Sequence, residues 1–112
     1  MDVDTGVEYV LEYNEVLPTA FQLLQNYPNP FNPETIIPIQ IPANWPHRVK
    51  IHIFNATGRL IKILHDDYLP AGHNTFLWDG TDQHGKTVAS GVYLYRAISG
   101  QTVLLKKLVL AR

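Results

Sequence analysis

The chain contains no cysteine, which removes disulfides, thiolate metal sites and thiol chemistry together. That absence does not place it in the cytoplasm, because an exported domain with a large enough core can dispense with disulfides. Long apolar runs are also missing. No stretch approaches membrane-spanning length, and Met1–Thr5 are acidic, without the basic start and apolar stretch of a secretory signal. If the protein is exported, its export signal lies outside this sequence or is the fold itself. Positive charge is nowhere concentrated, and the formal net charge is -1, so nucleic acid is not expected as a partner. Serine is scarce. Only Ser90 and Ser99 occur; Ser90 sits in an Ala-Ser-Gly turn without a nucleophile-elbow pattern, and no carboxylates pair at a predictable spacing, so no catalytic residues and no enzymatic activity are expected. The five histidines, His47, His52, His65, His73 and His84, show no ligand spacing, so no metal and no cofactor are expected.

What is present is apolar residue in quantity: 46% of 112 residues are hydrophobic and 17% charged. That length suits one domain, and a fold of this size buries roughly two-thirds of its unfolded surface. From Met1 to about Pro18 the chain is acidic, and Val7, Tyr9 and Leu11 alternate, which fits an edge strand or a linker; residues 1–17 are set apart from a domain at 18–112. Then Phe21-Gln22-Leu23-Leu24 leads into Asn26-Tyr27-Pro28-Asn29-Pro30-Phe31-Asn32-Pro33. Three prolines there remove three backbone donors, so neither a helix nor a central strand is expected. A rigid loop anchored by Tyr27 and Phe31 is the reading.

Beyond it the pattern has period two. Ile37, Ile39 and Ile41 form one apolar face, and Pro38 predicts an edge position for that strand. Val49, Ile51 and Ile53 form a second strand, turned by Asn55-Ala56-Thr57-Gly58 into Leu60–Leu64 as a hairpin. Pro70-Ala71-Gly72 precedes a strand with Phe76 and Trp78, and Asp79–Gly85 is a polar turn. Gly91 opens a strand in which Tyr93 and Tyr95 share a face opposite Val92 and Leu94, and a last strand covers about Thr102–Leu110. No helical repeat appears. The spacing predicts an all-β, two-sheet antiparallel sandwich with Phe76, Trp78, Tyr93 and Tyr95 dominating its core.

The series Leu24-Gln25-Asn26-Tyr27-Pro28-Asn29-Pro30-Phe31-Asn32-Pro33, with Thr35, Ile37 and Ile41-Pro42, resembles the opening of the C-terminal sorting domains of type IX secretion cargo proteins. These are related to the immunoglobulin-like domain of the flagellar hook-capping protein. The likeness continues through Val49–Asn55 with Gly58, Ala71-Gly72, Trp78-Asp79-Gly80, Gly85, Val88–Arg96 and Lys106–Leu110. It covers about Pro18 to Arg112. The resemblance implies an immunoglobulin-like antiparallel sandwich of about seven strands at the extreme C-terminus of a secreted protein. It further implies passage through the periplasm and across the outer membrane to the cell surface or medium. The implied partners are an outer-membrane secretion machinery, a sortase-like protease and an upstream cargo domain. The sorting-motif candidates are Asn26, Tyr27, Pro28, Asn29, Pro30, Phe31, Asn32, Pro33, Gly91, Tyr93, Lys106 and Lys107.

Each candidate has a plainer reading beside it. The Asn26–Pro33 loop either recognises the machinery or closes the sandwich end. The last strand packs by pattern, yet a free edge also suits strand addition, including an edge-strand dimer. Asp79–Gly85 resembles a calcium loop, but Thr81 and Gln83 stand where acids belong and no Glu follows, so a hydrogen-bonded turn is expected. Trp45 and Tyr68 suit either stacking on a sugar ring or covering the sandwich end. A carbohydrate-binding accessory domain and a structural or assembly spacer are the alternatives to sorting.

Overall fold

A computed structural model describes residues 17–112; apart from Leu17, the residues read as a linker or edge-strand tail lie outside these. Seven strands are present: β1 (Gln22–Leu23), β2 (Thr35–Ile41), β3 (Val49–Asn55), β4 (Leu60–Asp67), β5 (Gly72–Trp78), β6 (Gly91–Ser99) and β7 (Thr102–Leu110). They form two antiparallel sheets, β1-β2-β5 and β4-β3-β6-β7. The chain is an all-β, immunoglobulin-like sandwich.

The period of two decides which residues meet between the sheets. β2 turns Ile37, Ile39 and Ile41 inward, β3 Val49, Ile51 and Ile53, β6 Tyr93, Tyr95 and Ala97, and β7 Leu108 and Leu110, all buried. Each such aliphatic side chain contributes about 1.5–3 kcal/mol by leaving water. Trp78 closes β5 with its indole fully buried, edge-on to Tyr93 at 5.2 Å and tilted against Phe31 at 5.5 Å. Its Nε1–H donates to the Thr81 carbonyl at 2.9 Å, so burying the indole leaves no orphaned donor.

β4 lacks clean alternation, and its pairing shows why. Against β3 the register slips twice, leaving Leu64 and Ile61 as extra residues that pack on the core. The preceding turn is held by Asn55, whose Oδ1 accepts from the amides of Thr57 and Arg59 at 3.1 and 2.9 Å. At the β6–β7 turn Gly100 has φ 59°, and a Cβ there would stand 2.8 Å from the His47 ring. That close approach demands glycine.

Two expectations are corrected. Phe76 is only partly buried and packs at the margin of the core against His65, ring centroids 4.9 Å apart. β5 is the last strand of its sheet, so its inner face meets β4 at the open side of the sandwich. Pro38 does not mark an edge: β2 is the middle strand, paired with β1 and β5. The Leu24 amide donates to the Pro38 carbonyl at 3.0 Å, and the return bond, which proline cannot make, would have gone to the Leu24 carbonyl. The Tyr95 hydroxyl, reaching from the opposite sheet, donates to that carbonyl at 2.7 Å instead.

Candidate functional site

The Asn26–Pro33 loop follows β1, and its geometry begins with the same tyrosine. The Asn26 amide donates to Tyr95 Oη at 2.9 Å. One hydroxyl thus accepts from the loop and donates to Leu24, the residue that follows β1, joining both to the other sheet. Burial pushes the Tyr95 phenol up to about 12, so it stays a neutral donor. The Asn26 side chain is buried among partners: Nδ2 donates to Thr35 Oγ1 at 3.0 Å and to the Pro28 carbonyl at 3.2 Å, and Oδ1 accepts from Gln25 Nε2. Thr35 Oγ1 donates to the Pro28 carbonyl at 2.9 Å. Asn26 and Thr35 are two of the three buried polar residues among the described residues, and both serve this loop.

The next residues lie along β7. Gln25 Nε2 donates to the Lys107 carbonyl at 3.0 Å, and Asn29 Oδ1 accepts from the Val109 amide at 2.9 Å. The Phe31 amide donates to the Val109 carbonyl, and the Ala111 amide to the Phe31 carbonyl, each at 3.0 Å. Phe31 thereby makes a parallel bridge to Leu110, and its ring, 1% exposed, enters the core beside Trp78. The loop covers the outer edge of β7 from Lys107 onward. It therefore does more than close one end of the sandwich: it adds backbone pairing to the sheet that β1 does not belong to.

Tyr27 departs from the expected role. Its side chain is 52% exposed, and the anchoring is done by its backbone, which exchanges two hydrogen bonds with Ile36 at 3.0 and 2.9 Å. Phe31 alone is the aromatic anchor. The Tyr27–Pro28, Asn29–Pro30 and Asn32–Pro33 peptide bonds are cis, and Pro28, Pro30, Asn32 and Pro33 lie at the exposed surface.

The remaining candidates converge on the same region. Gly91 opens β6 opposite Leu110, and Tyr93 is opposite Leu108. The Tyr93 hydroxyl donates to the Ala89 carbonyl at 2.6 Å, and desolvation raises its pKa. Lys106 faces inward opposite Tyr95 and is half-buried, while Lys107 is exposed. Sequence reasoning missed Arg112, which ties the end of β7 to the neighbouring turns: Nε donates to the Val88 carbonyl at 2.9 Å and an Nη to the Gly80 carbonyl at 2.8 Å.

Elsewhere several polar side chains are engaged structurally. Asp79 Oδ1 accepts from the amide and hydroxyl of Thr81, and Asp82 Oδ1 from the amides of His84 and Lys86 at 2.9 and 3.0 Å. These bonds, the Thr81 hydroxyl first for Asp79 and the Lys86 amide first for Asp82, lower both carboxyl pKa values. Ser99 Oγ donates to the Arg48 carbonyl and accepts from Trp45 Nε1 at 2.8 Å. The Trp45 ring stacks on Phe21 at 5.2 Å, so one of its faces is already covered. Tyr68 is exposed, with the Arg48 guanidinium 5.6 Å from its ring centroid. Among the described residues no group of three or more His, Asp or Glu is placed to hold a metal ion.

The family model for the FlgD Ig-like domain matches residues 37–102. Among solved structures, dimeric latent PorU from Porphyromonas gingivalis is 23% identical with a TM-score of 0.68, the match covering 87% of this chain and 10% of that one. PorZ, described as an essential bacterial surface component of the type-IX secretion system of the same organism, is also 23% identical, with a TM-score of 0.52 over 79% of this chain and 11% of that one. The chain thus spans about a tenth of the length of either protein. No curated protein matches it.

Proposed function

The chain belongs to the FlgD Ig-like domain family, and on that premise we propose that it is a non-catalytic sorting and attachment module that carries an exported cargo through type IX secretion to the cell surface or medium. The observation that carries this reading is the meeting of two motif blocks from opposite ends of the sequence. Asn29 and Phe31 bind β7 at Val109, next to Lys106-Lys107. A recognition surface read by a secretion machine needs backbone held in one geometry before the encounter, so that little entropy is lost on binding. The Tyr95 and Asn26 bonds supply that order from below. PorZ, whose described role is in type IX secretion, has a domain of similar fold, which supports the same reading.

The non-catalytic part rests on how the reactive groups are engaged. Both serine hydroxyls hold backbone groups, Ser99 at Arg48 and Ser90 at the Arg112 amide. The turn carboxylates of Asp79 and Asp82 cap amides. No cofactor or metal is required by this role; its partners are the outer-membrane machinery, a sortase-like protease and the upstream cargo.

The test is a fusion of the whole chain behind a periplasm-targeted fluorescent reporter, in a host that has the secretion system. The reporter is expected at the surface or in the medium. A folded fusion that accumulates in the periplasm refutes the proposal.

A further inference from the structure

The outer face of the four-stranded sheet is unusual for a solvated surface. Of the eight large hydrophobic side chains exposed among the described residues, five lie on it: Leu60, Ile63, Val92, Val103 and Leu105. Val103 and Leu105 are 58% and 55% exposed. Alternation places them there, since each pairs with or neighbours a residue whose flanking positions point into the core. Large apolar side chains gathered on one sheet face in this way mark an interaction surface.

The charges on this face are mostly of one sign. Arg96 stands at its centre, its guanidinium 4.6 Å from the Phe54 ring centroid and 3.3 Å from His52 Nδ1. Lys50, opposite Ile98, and Lys107, opposite Leu94, stand diagonally to either side of it. Asp66, opposite Lys50, has its carboxylate drawn to Arg48 at 3.3 Å. The His52 pKa is lowered by desolvation and then by Arg96 and Lys50, in keeping with a positive local potential.

The complementary charge lies in the same chain. Residues 1–16 hold Asp2, Asp4, Glu8, Glu12 and Glu15, five of the ten acids, and no lysine or arginine. Residues 17–112 hold all nine cations against the other five acids, a net +4 against -5. The acidic segment is also rich in apolar residues, with Val7, Tyr9, Val10 and Leu11 among its glutamates. Its C-terminal neighbour Leu17 lies against Gly72 at the start of β5, and sixteen residues reach up to about 50 Å, farther than the roughly 30 Å length of a nine-residue strand. The rival surface on β5 offers one exposed large apolar side chain, Leu77, in a row with His73 and Thr75, and no lysine or arginine.

We propose that Met1–Val16 dock across the outer face of the four-stranded sheet, covering its apolar side chains and neutralising the cations around Arg96. The segment shields a surface that would otherwise associate with other copies or with membranes.

The absence of cysteine makes a direct test simple. A nitroxide is attached to the full chain as a Val10→Cys variant, and methyl signals are followed by NMR in dilute, low-salt solution. The expected result is loss of signal at Val103, Leu105 and Ile63, restored in about 1 M salt, where the screening length is about 3 Å. Restoration is also expected when Glu8→Gln, Glu12→Gln and Glu15→Gln are combined. Unaffected methyls at low salt, or broadening centred on Leu77, would overturn the proposal. So would broadening that appears only between separately labelled chains in a mixed sample, which would assign the face to a second copy.

Discussion

Replacing Tyr95 with phenylalanine keeps the buried ring and deletes one oxygen. That oxygen donates to the Leu24 carbonyl at 2.7 Å and accepts from the Asn26 amide at 2.9 Å. The Asn26 amide is then buried, and the Leu24 carbonyl part-buried, without that partner, and each orphaned buried group costs about 1–3 kcal/mol. The expected loss is about 2–5 kcal/mol, a large part of a small domain's stability. For a domain of this size it lowers Tm by at least about 8 °C. Urea denaturation with an unchanged m-value is the assay, since the surface exposed on unfolding is the same. A second substitution isolates the cause. Pro38→Ala restores a backbone donor facing the Leu24 carbonyl, so in its presence Tyr95→Phe should cost about 1 kcal/mol less. A Tyr95→Phe variant that melts with the parent protein would refute the role given to this hydroxyl. Additive effects in the double variant would show that Pro38 and Tyr95 do not share that acceptor.

The other predictions concern the core, the loop and pH. Trp78→Ala removes a fully buried indole and should cost about 3–5 kcal/mol, whereas Phe76→Ala, at the margin, should cost clearly less; paired urea titrations check the order. Asn29→Ala takes the acceptor from the exposed Val109 amide and should cost about 1 kcal/mol or less by thermal melting, while faster Val109 amide exchange reports the lost bond. The Tyr95 phenol is raised to about 12 in the folded state against an ordinary value near 10, so its contribution is whole below about pH 10. Between about pH 10 and 12 the unfolded chain loses that proton and the folded one keeps it, so stability falls as pH rises. Tyr95→Phe should flatten part of that decline in a series of melts.

The sandwich was legible because most of its strands are half-buried. Alternation at Ile37–Ile41, Val49–Ile53 and Tyr93–Ala97 needs only local sequence, and the glycine at position 91 and the span Thr102–Leu110 coincide with the strands β6 and β7. The run Leu60–Leu64 was harder, since two bulges break its period. Pro38 misled for a definite reason: a proline is confined to edges when its missing donor would leave a neighbour unsatisfied, and here a tyrosine far along the chain satisfies that neighbour. Tyr27 and Phe31 are alike in the sequence, and which of them enters the core depends on the parallel bridge to Leu110. No local pattern encodes that bridge. The candidate residues themselves were recognisable as motif blocks, but their junction, Asn29 and Phe31 on Val109, is a pairing across some 80 residues that only the fold displays.

The most direct test of the account addresses the unity of the Asn26–Pro33 loop and β7. Amide hydrogen exchange on the full chain reads the three groups involved: the Phe31 amide bonded to Val109, the Ala111 amide bonded to Phe31 and the Val109 amide bonded to Asn29. The account predicts slow exchange at Phe31 and Ala111, comparable to that of β7 itself, with Val109 protected as well. Rapid exchange at Phe31 and Ala111 while β6 and β7 remain protected from each other would contradict it, because the loop would then have no fixed place on the strand.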